Sequence, residues 1–472
     1  MNRRALLLAG AAALASPSLA ETPASAAADL VRIGSVPTEV PADFVGLSYE
    51  TPQLLNPAYF CADNGPLVAA FRLLGPRGVL RFGGSLSAFT RWRSDRGDFS
   101  TPREARAIAV QTNWEWRLTD PSLKGPGERW LTPDSLRALR GFLDATGWTC
   151  IYGLNLATGA AERAADEADH AMRLLGDRLT CFQLGNEPDF FGGNPLFRPA
   201  GYDFEQYWSE FRHYVEAVRR LQPAARFAGP DVAVNLDWVK EFARRSGDDA
   251  VFLSAHHYAM GPASDPAMTA ERLLAPRNET LERQIDTANT IRGATGLRFR
   301  MTEGNSCFGG GKAGVSDAYA SALWAADYML RVASAGYLGV NLHGGGDGLY
   351  TPIAATEAGP ALRPVFQGMR WAAAFAGSRL ERLMVLGDEN LSAYLGRKDG
   401  ERLLAVINKT AARRDLAARP PIAIPGSGVR IDRLSGPSLG ADHADITQEE
   451  ARADSFAAEP YSATLFRWAD RG

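Results

Sequence analysis

Cysteine is scarce. Four in 472 residues are too few for a disulfide framework. Cys150 and Cys181 sit in apolar runs and read as buried free thiols. Cys61 and Cys307 fall in expected loops and are the pair left open for a bond. Histidine is scarcer than its catalytic uses would suggest, at six, with no Cys/His cluster at metal-ligand spacing, so no metal centre is expected. Cofactor motifs are missing too. No GxGxxG follows the first apolar strand, and the run GGGKA at 309–313 has no Ser or Thr after its lysine, so it is not a phosphate-binding loop. A net charge of −3 gives no strong field for nucleic acid or a membrane surface. Apolar runs are short, and the longest is too short to be a permanent transmembrane helix.

That longest run, residues 5–15, follows Arg3-Arg4 and precedes Ser18-Leu19-Ala20, a small-residue cleavage site. Residues 1–20 therefore read as a signal peptide for export to the periplasm or the exterior, and the paired arginines admit a twin-arginine route. The rest has an ordinary globular composition, 46% hydrophobic and 22% charged. Its length allows one large domain and a smaller one.

Between residues 44 and 375 short apolar runs alternate with helical patterns. Strands are expected at 44–50, 78–84, 150–157, 181–187, 226–232, 251–258, 299–304 and 337–344. The helix expected over 203–221 places Phe204, Tyr207, Trp208, Phe211, Tyr214, Val215 and Val218 on one face, and that over 317–335 does so with Tyr319, Leu323, Ala326, Leu330 and Val332. Eight βα units in about 330 residues argue for a (β/α)8 TIM barrel rather than a doubly wound sheet. Residues 21–43 read as a linker with the first extended chain of a second domain. Beyond residue 375, short strands between Gly, Pro and Asp turns predict an appended all-β sandwich at 376–472. Two long loops flank the expected catalytic face: 85–132, with Trp92, Trp114, Trp116 and Trp130, and 188–201, with Phe190, Phe191 and Phe197. Their aromatics either stack on sugar faces or seal the loops' own small cores.

The stretch CFQLGNEPDFF, 181–191, ends an apolar strand at Asn186-Glu187-Pro188, which puts a carboxyl where barrel enzymes carry chemistry. In RFRMTEGN a second carboxyl, Glu303, ends the seventh strand as Glu187 ends the fourth. Two such carboxyls at one barrel mouth suit acid/base and nucleophilic attack on a glycosidic bond, provided they lie ~5–5.5 Å apart. Alone, Asn-Glu-Pro describes a solvated surface turn better than a catalytic one. His256 and His257 are either sugar contacts or packing residues.

Taken together these motifs resemble the clan A retaining glycosidases, and among them glycoside hydrolase family 79, the β-glucuronidase and heparanase family. The resemblance covers the barrel and the β-domain. It implies Glu187 as acid/base, within Gly-Asn-Glu-Pro at 185–188, and Glu303 as nucleophile. It further implies Gly309 and Gly310 as backbone donors to a uronate carboxylate, Ser85 in RFGGS and Glu50 as sugar contacts, Tyr258 in HHY as the residue orienting the nucleophile, and Tyr350 near the carboxylate. The chemistry adds Asn186 on the 2-hydroxyl, Arg81 as a partner holding Glu303 ionised, and Lys312 as either added charge or a solvated loop lysine. Phe308 stands where the family often has Tyr, which opens the site to an ester, ether or unsaturated uronate. The implied substrate is a glucuronic-acid-containing saccharide or glucuronide, with no cofactor. The rival readings are a β-xylosidase or arabinofuranosidase of the same clan, and a catalytically inactive carbohydrate-binding protein.

Overall fold

The computed structural model describes residues 28–32, 36–110, 130–344, 348–419, 422, 424–425, 427–451 and 456–470. Eight parallel strands close a barrel in chain order. They are β1 (Val45–Glu50), β2 (Val79–Gly83), β3 (Thr149–Leu154), β4 (Leu179–Leu184), β5 (Phe227–Val232), β6 (Ala250–Met260), β7 (Phe299–Cys307) and β8 (Gly339–His343). Closure places Val340 opposite Val45 and His343 opposite Ser48. These are the eight strands expected from the sequence, displaced only at their ends.

Strand alternation builds the barrel interior in layers. Near the N-terminal ends Val79, Ile151, Cys181, Ala228 and Phe252 form an apolar plug. Two residues further along, Arg81, Gln183 and Ser254 are polar and buried, and they are joined by Asp231 and Thr302. The functional end of the barrel therefore rests on a polar floor above a dry base.

Eight helices accompany the strands: α1 (Gly65–Leu74), α2 (Pro133–Thr146), α3 (Ala161–Leu175), α4 (Phe204–Leu221), α5 (Leu236–Ser246), α6 (Glu279–Thr295), α7 (Tyr319–Ser334) and α8 (Pro364–Ala372). Asp203 opens α4 through a capping box: its carboxylate accepts from Gln206 N at 3.0 Å, and Gln206 accepts from Asp203 N at 3.0 Å. The face expected for α4 is inward, with Trp208 half-buried at its margin. Helix α7 differs from the one-faced expectation, because residues all round it are buried. One side packs on the barrel and the other is covered by α8 and the β-domain, and a helix apolar all round is a buried one. Where α7 meets α8, a Cβ on Gly368 would come within 2.1 Å of the Ala322 carbonyl oxygen. Gly368→Ala is therefore expected to cost about 1–3 kcal/mol of stability, measured by urea unfolding. Wild-type stability in that variant would mean the two helices are not locked together there.

The long excursion after β2 has structure of its own. It contains a short hairpin, Arg93–Ser94 with Gly97–Asp98, and a helix at Pro102–Val110. Trp92 is fully buried and donates to Asp166 Oδ2 at 2.7 Å, and Trp130 lies under the Arg93 guanidinium at 3.9 Å. These two seal the excursion. Trp114, Trp116 and the expected signal segment lie outside the described residues.

The second domain is one ten-stranded sheet curled on itself, so the two layers expected of a sandwich are continuous. Ala28–Arg32 joins it, antiparallel to Arg379–Leu386 and parallel to Arg414–Ala418. The strand Glu401–Asn408 shows why the sheet holds both itself and the barrel. Leu404 and Val406 enter the curl's own core with Leu30, Leu391, Phe466 and Trp468, while Leu403, Ala405 and Ile407 join the main core. At that junction Asp327 of α7 accepts from Lys409 Nζ and Tyr394 Oη, each at 2.7 Å, and from Ser392 Oγ at 3.0 Å.

The pairing left open for Cys61 and Cys307 is corrected: all four cysteines are free thiols. Strand β7 runs past the expected end at residue 304, so Cys307 is buried in a strand rather than set in a loop, and Cys61 Sγ donates to the Ala58 carbonyl at 3.2 Å.

Candidate active site

Two backbone turns set the site. After β4, Glu187 takes φ +52°, and at the end of β5 Asp231 takes φ +62°, both left-handed and neither glycine. Such residues cost about 1–3 kcal/mol each and persist where the surroundings fix them. Here Glu187 N donates to the Asp231 carbonyl at 3.0 Å, tying the turns together. A bulge then aims the second carboxyl. Ala255 pairs with Met301 but His256 pairs with Glu303, so β7 carries one extra residue at Thr302. Thr302 Oγ1 reaches Asp231 at 2.5 Å, while Glu303 rises to the floor of the mouth.

Arg81 is the hub beneath. Fully buried, it donates from Nη1 to Glu303 Oε2 at 2.7 Å and from Nη2 to Asp231 Oδ2 at 2.5 Å and Asn186 Oδ1 at 2.7 Å. Tyr258 Oη donates to Glu303 Oε1 at 2.8 Å. His256 bridges the other side, with Nδ1 2.9 Å from Glu187 Oε1 and Nε2 3.3 Å from Asp231 Oδ1. Gln183 adds a donor to Asp231 at 2.6 Å.

The charges divide unevenly over this network. Burial alone would raise Glu303, but His343, His256, Arg81 and the Tyr258 hydroxyl hold it well below the usual carboxylate range. Asp231 is likewise held low against burial by Arg81 and His256. Burial opposes the charged form of His256, yet Asp231 and Glu303 push it up to about 10. Two buried cations, Arg81 and His256, thus face two buried anions. Glu187 is the carboxyl left over: burial raises it, the His256 contact opposes, and the charges of Glu303 and Asp189 raise it further, for a net upward shift. A Glu187 oxygen, a Glu303 oxygen and a His256 ring nitrogen all lie within 4.8 Å of one another. Those three donors could also converge on a metal ion, but Arg81 and His256 already neutralise the carboxylates around them.

Above this floor opens a cavity of about 870 Å³. Twelve residues singled out in the sequence line it: Phe190, His256 and His257 together with Glu50, Ser85, Glu187, Tyr258, Glu303, Phe308, Gly309, Gly310 and Tyr350. Glu50 is buried and accepts from Leu86 N at 2.8 Å. Gly309 and Gly310 have φ +83° and +92°, backbone that side chains other than glycine rarely adopt. Phe308 sets its edge toward Tyr258, with ring centroids 6.5 Å apart, and Tyr350 lies 6.1 Å from Tyr258. Asn186 stands behind Glu187. Its Oδ1 is occupied by Arg81 and by Gly84 N at 2.9 Å, so its amide NH2 is the end able to meet a ligand. Lys312 does not join them: Nζ donates to the Asp265 carbonyl at 3.2 Å, away from the cavity lining.

Sequence reasoning missed Asp231, Gln183, His343 and Ser48. His343 lines the cavity, with Nε2 3.7 Å from Glu50 and Nδ1 3.7 Å from Glu303 and 3.2 Å from Ser48 Oγ. The available signal was a polar residue at an inward position of an otherwise apolar strand. His256 and His257, read together, part company. His256 enters the network, whereas His257 stacks on Tyr328 and is lowered by burial to about 4.

The fold is that of glycosidases built from a (β/α)8 barrel with a β-domain. It superposes on a 4-O-α-L-rhamnosyl-β-D-glucuronidase from Fusarium oxysporum with TM-score 0.72 and 16% identity, over 93% of this chain and 99% of that one. A family 51 α-L-arabinofuranosidase from Bifidobacterium longum gives TM-score 0.66 and 13% identity, over 95% and 99%. In sequence the chain is similar to curated β-glucuronidases: 26% identical over 225 residues to one from Aspergillus niger and 24% over 327 residues to one from Neurospora crassa. Those matches cover 42% and 58% of this chain, and 41% and 58% of the relatives' own lengths. No family model matches the chain.

Proposed function

We propose that this protein is a retaining β-glucuronidase of the glycoside hydrolase family 79 type, with Glu187 as acid/base and Glu303 as nucleophile. The observation that carries the reading is the carboxylate pair, oxygens within 4.8 Å and proton affinities pushed in opposite directions. That proximity favours direct attack over the wider gap in which an inverting enzyme holds its water. Glu303 attacks the anomeric carbon while Glu187 protonates the leaving oxygen. Glu187, then ionised, takes a proton from the water that cleaves the glycosyl ester. Tyr258 and Arg81 hold the nucleophile's two oxygens, and Asn186 offers its NH2 to the 2-hydroxyl. The uronate is supported by the glycine backbone at 309–310 and by the names of the curated relatives. The arabinofuranosidase neighbours keep a neutral sugar as the second reading. Export rests on residues 1–20 and is tested by the N-terminal mass of protein recovered outside the cytoplasm.

The deciding measurement is kcat/KM for matched p-nitrophenyl β-glucuronide, β-glucoside and β-xyloside. Preference for glucuronide is expected by roughly 10²–10⁴-fold, from two charge-assisted bonds of about 1.5–3 kcal/mol each. Preference for a neutral sugar would sink the uronate reading and leave the carboxylate mechanism standing. The pH profile follows from the shifts. Activity needs Glu303 ionised and Glu187 protonated, so its acid limb falls below the ordinary carboxylate range and its alkaline limb above it. In Glu187→Gln the alkaline limb assigned to Glu187 should vanish.

A further inference from the structure

The leaving-group half of the cavity carries a feature that the two carboxylates do not use. Among the described residues eight large apolar side chains are well exposed, and three of them line the cavity: Phe308 on the nucleophile's side, and Phe190 (57%) and Val234 (65%) together on the other. The loops of that pair leave β4 and β5, the side of the mouth from which Glu187 reaches the leaving oxygen, whereas Phe308, Gly309 and Gly310 follow β7. Exposed apolar side chains concentrated in a cavity mark a binding surface rather than a packing accident.

Phe190 and Val234 are also held in a fixed relation. The residue between Glu187-Pro188 and Phe190 is Asp189, whose Oδ1 accepts from Ala233 N at 2.9 Å and whose Oδ2 accepts from Val234 N and Asn235 N, each at 3.1 Å. One carboxylate thus clamps three successive amides of the neighbouring loop. Asn235 in turn caps α5, its Oδ1 accepting from Asp237 N at 3.1 Å and Trp238 N at 3.3 Å. Phe190 N donates to the Glu187 carbonyl at 2.9 Å, which ties the platform to the acid/base itself. An exposed apolar pair costs solvation in the free protein, and a rigid mount for it is repaid only when a ligand covers it.

We propose that Phe190 and Val234, locked by Asp189, form a preformed leaving-group subsite for a flat apolar face, either an aryl ring or the apolar face of a second sugar. Leu236 and Ala233 also line the cavity, and the polar groups that line it with them are Asn235, Asp237, Thr280, Arg283 and Gln284. This subsite rests on the assignment of Glu187 as the acid in the proposed function, but not on the identity of the glycone.

The test compares glycosyl fluoride, which has no leaving-group body, with the p-nitrophenyl glycoside and a disaccharide of the same glycone. The glycone is whichever the wild-type enzyme cleaves, so failure of the glucuronate reading appears in that choice and leaves the comparison readable. In Phe190→Ala/Val234→Ser, the ratio of kcat/KM for the p-nitrophenyl glycoside to that for the fluoride is expected to fall about tenfold. A fall confined to the aryl substrate identifies an aromatic leaving group, one confined to the disaccharide identifies a sugar, and a fall in both supports the shared face. Ratios within twofold of wild type for both substrates would overturn the subsite. Asp189→Asn, which weakens the clamp and keeps both apolar side chains, should give a smaller loss in the same ratios.

Discussion

Glu303→Gln is expected to lower kcat on every glycoside the wild type cleaves by about 10⁴-fold or more, because among the described residues Glu303 is the carboxylate placed opposite Glu187 to form the covalent intermediate. Glu187→Gln should behave differently. General acid catalysis contributes about 10²–10⁴-fold, and the loss scales with how badly the leaving group needs a proton. A p-nitrophenyl glycoside, which leaves readily, should lose less in kcat/KM than an alkyl glycoside or disaccharide. An added anion such as azide should restore turnover in Glu187→Gln by attacking the glycosyl-enzyme, giving a β-configured azide product, and should do nothing for Glu303→Gln. Trapping by a 2-fluoro glycosyl fluoride followed by peptide mapping checks the same assignment. A label on any residue other than Glu303, or near-wild-type turnover in Glu303→Gln, would refute it.

The second large effect is on stability. Arg81→Leu leaves Asp231 and Glu303 buried without the guanidinium that both of them meet. Breaking a buried ion pair by removing one partner typically costs about 3–5 kcal/mol, and Arg81 serves two partners. A loss in that range or beyond is expected in urea unfolding at neutral pH, with activity lost as well. The pH dependence has a definite sign. Asp231 and Glu303 have lowered affinities in the folded protein, so their contribution is present above their unfolded values, about 4, and disappears as pH falls. The gap between wild type and Arg81→Leu should therefore narrow on acidification. His256 works the other way. Raised to about 10, it contributes fully below its unfolded value of about 6.5, and that contribution is lost as pH climbs through 10. A stability gap independent of pH would mean Arg81 acts through packing alone.

How far the sequence announced these features depended on what kind of signal each one leaves. The barrel strands were legible because each is a short apolar run cut off by polar residues, and Glu187 and Glu303 were legible because they stand at the cuts. Tyr258 came through the motif resemblance, and Arg81 through the need for a partner that keeps Glu303 ionised. Asp231 left no such trace: in RFAGPDV it looks like one more turn residue, and its role arises from the left-handed backbone that turns it onto Arg81 and His256. For Lys312 the sequence left both readings open, since proximity to the glycine run says nothing about the direction of a long side chain. The extent of β7 was undercalled at Gly304, and with it the burial of Cys307, because Asn305 and Ser306 look like loop residues until Asn305 is seen donating to the carbonyls of His343 and Tyr350.

The strand Ala28–Arg32 pairs with segments more than three hundred residues later in the chain, so the barrel is topologically an insertion within the β-domain. During synthesis that early strand waits without its neighbours while the whole barrel emerges. Helix α7, buried on every side in the finished protein, keeps its outer face bare over the same interval. Closing the sheet requires long-range pairings, which form slowly. Late closure of the β-domain is therefore expected, and until it closes the outer flank of α7 would be an exposed apolar surface of the kind that chaperones bind.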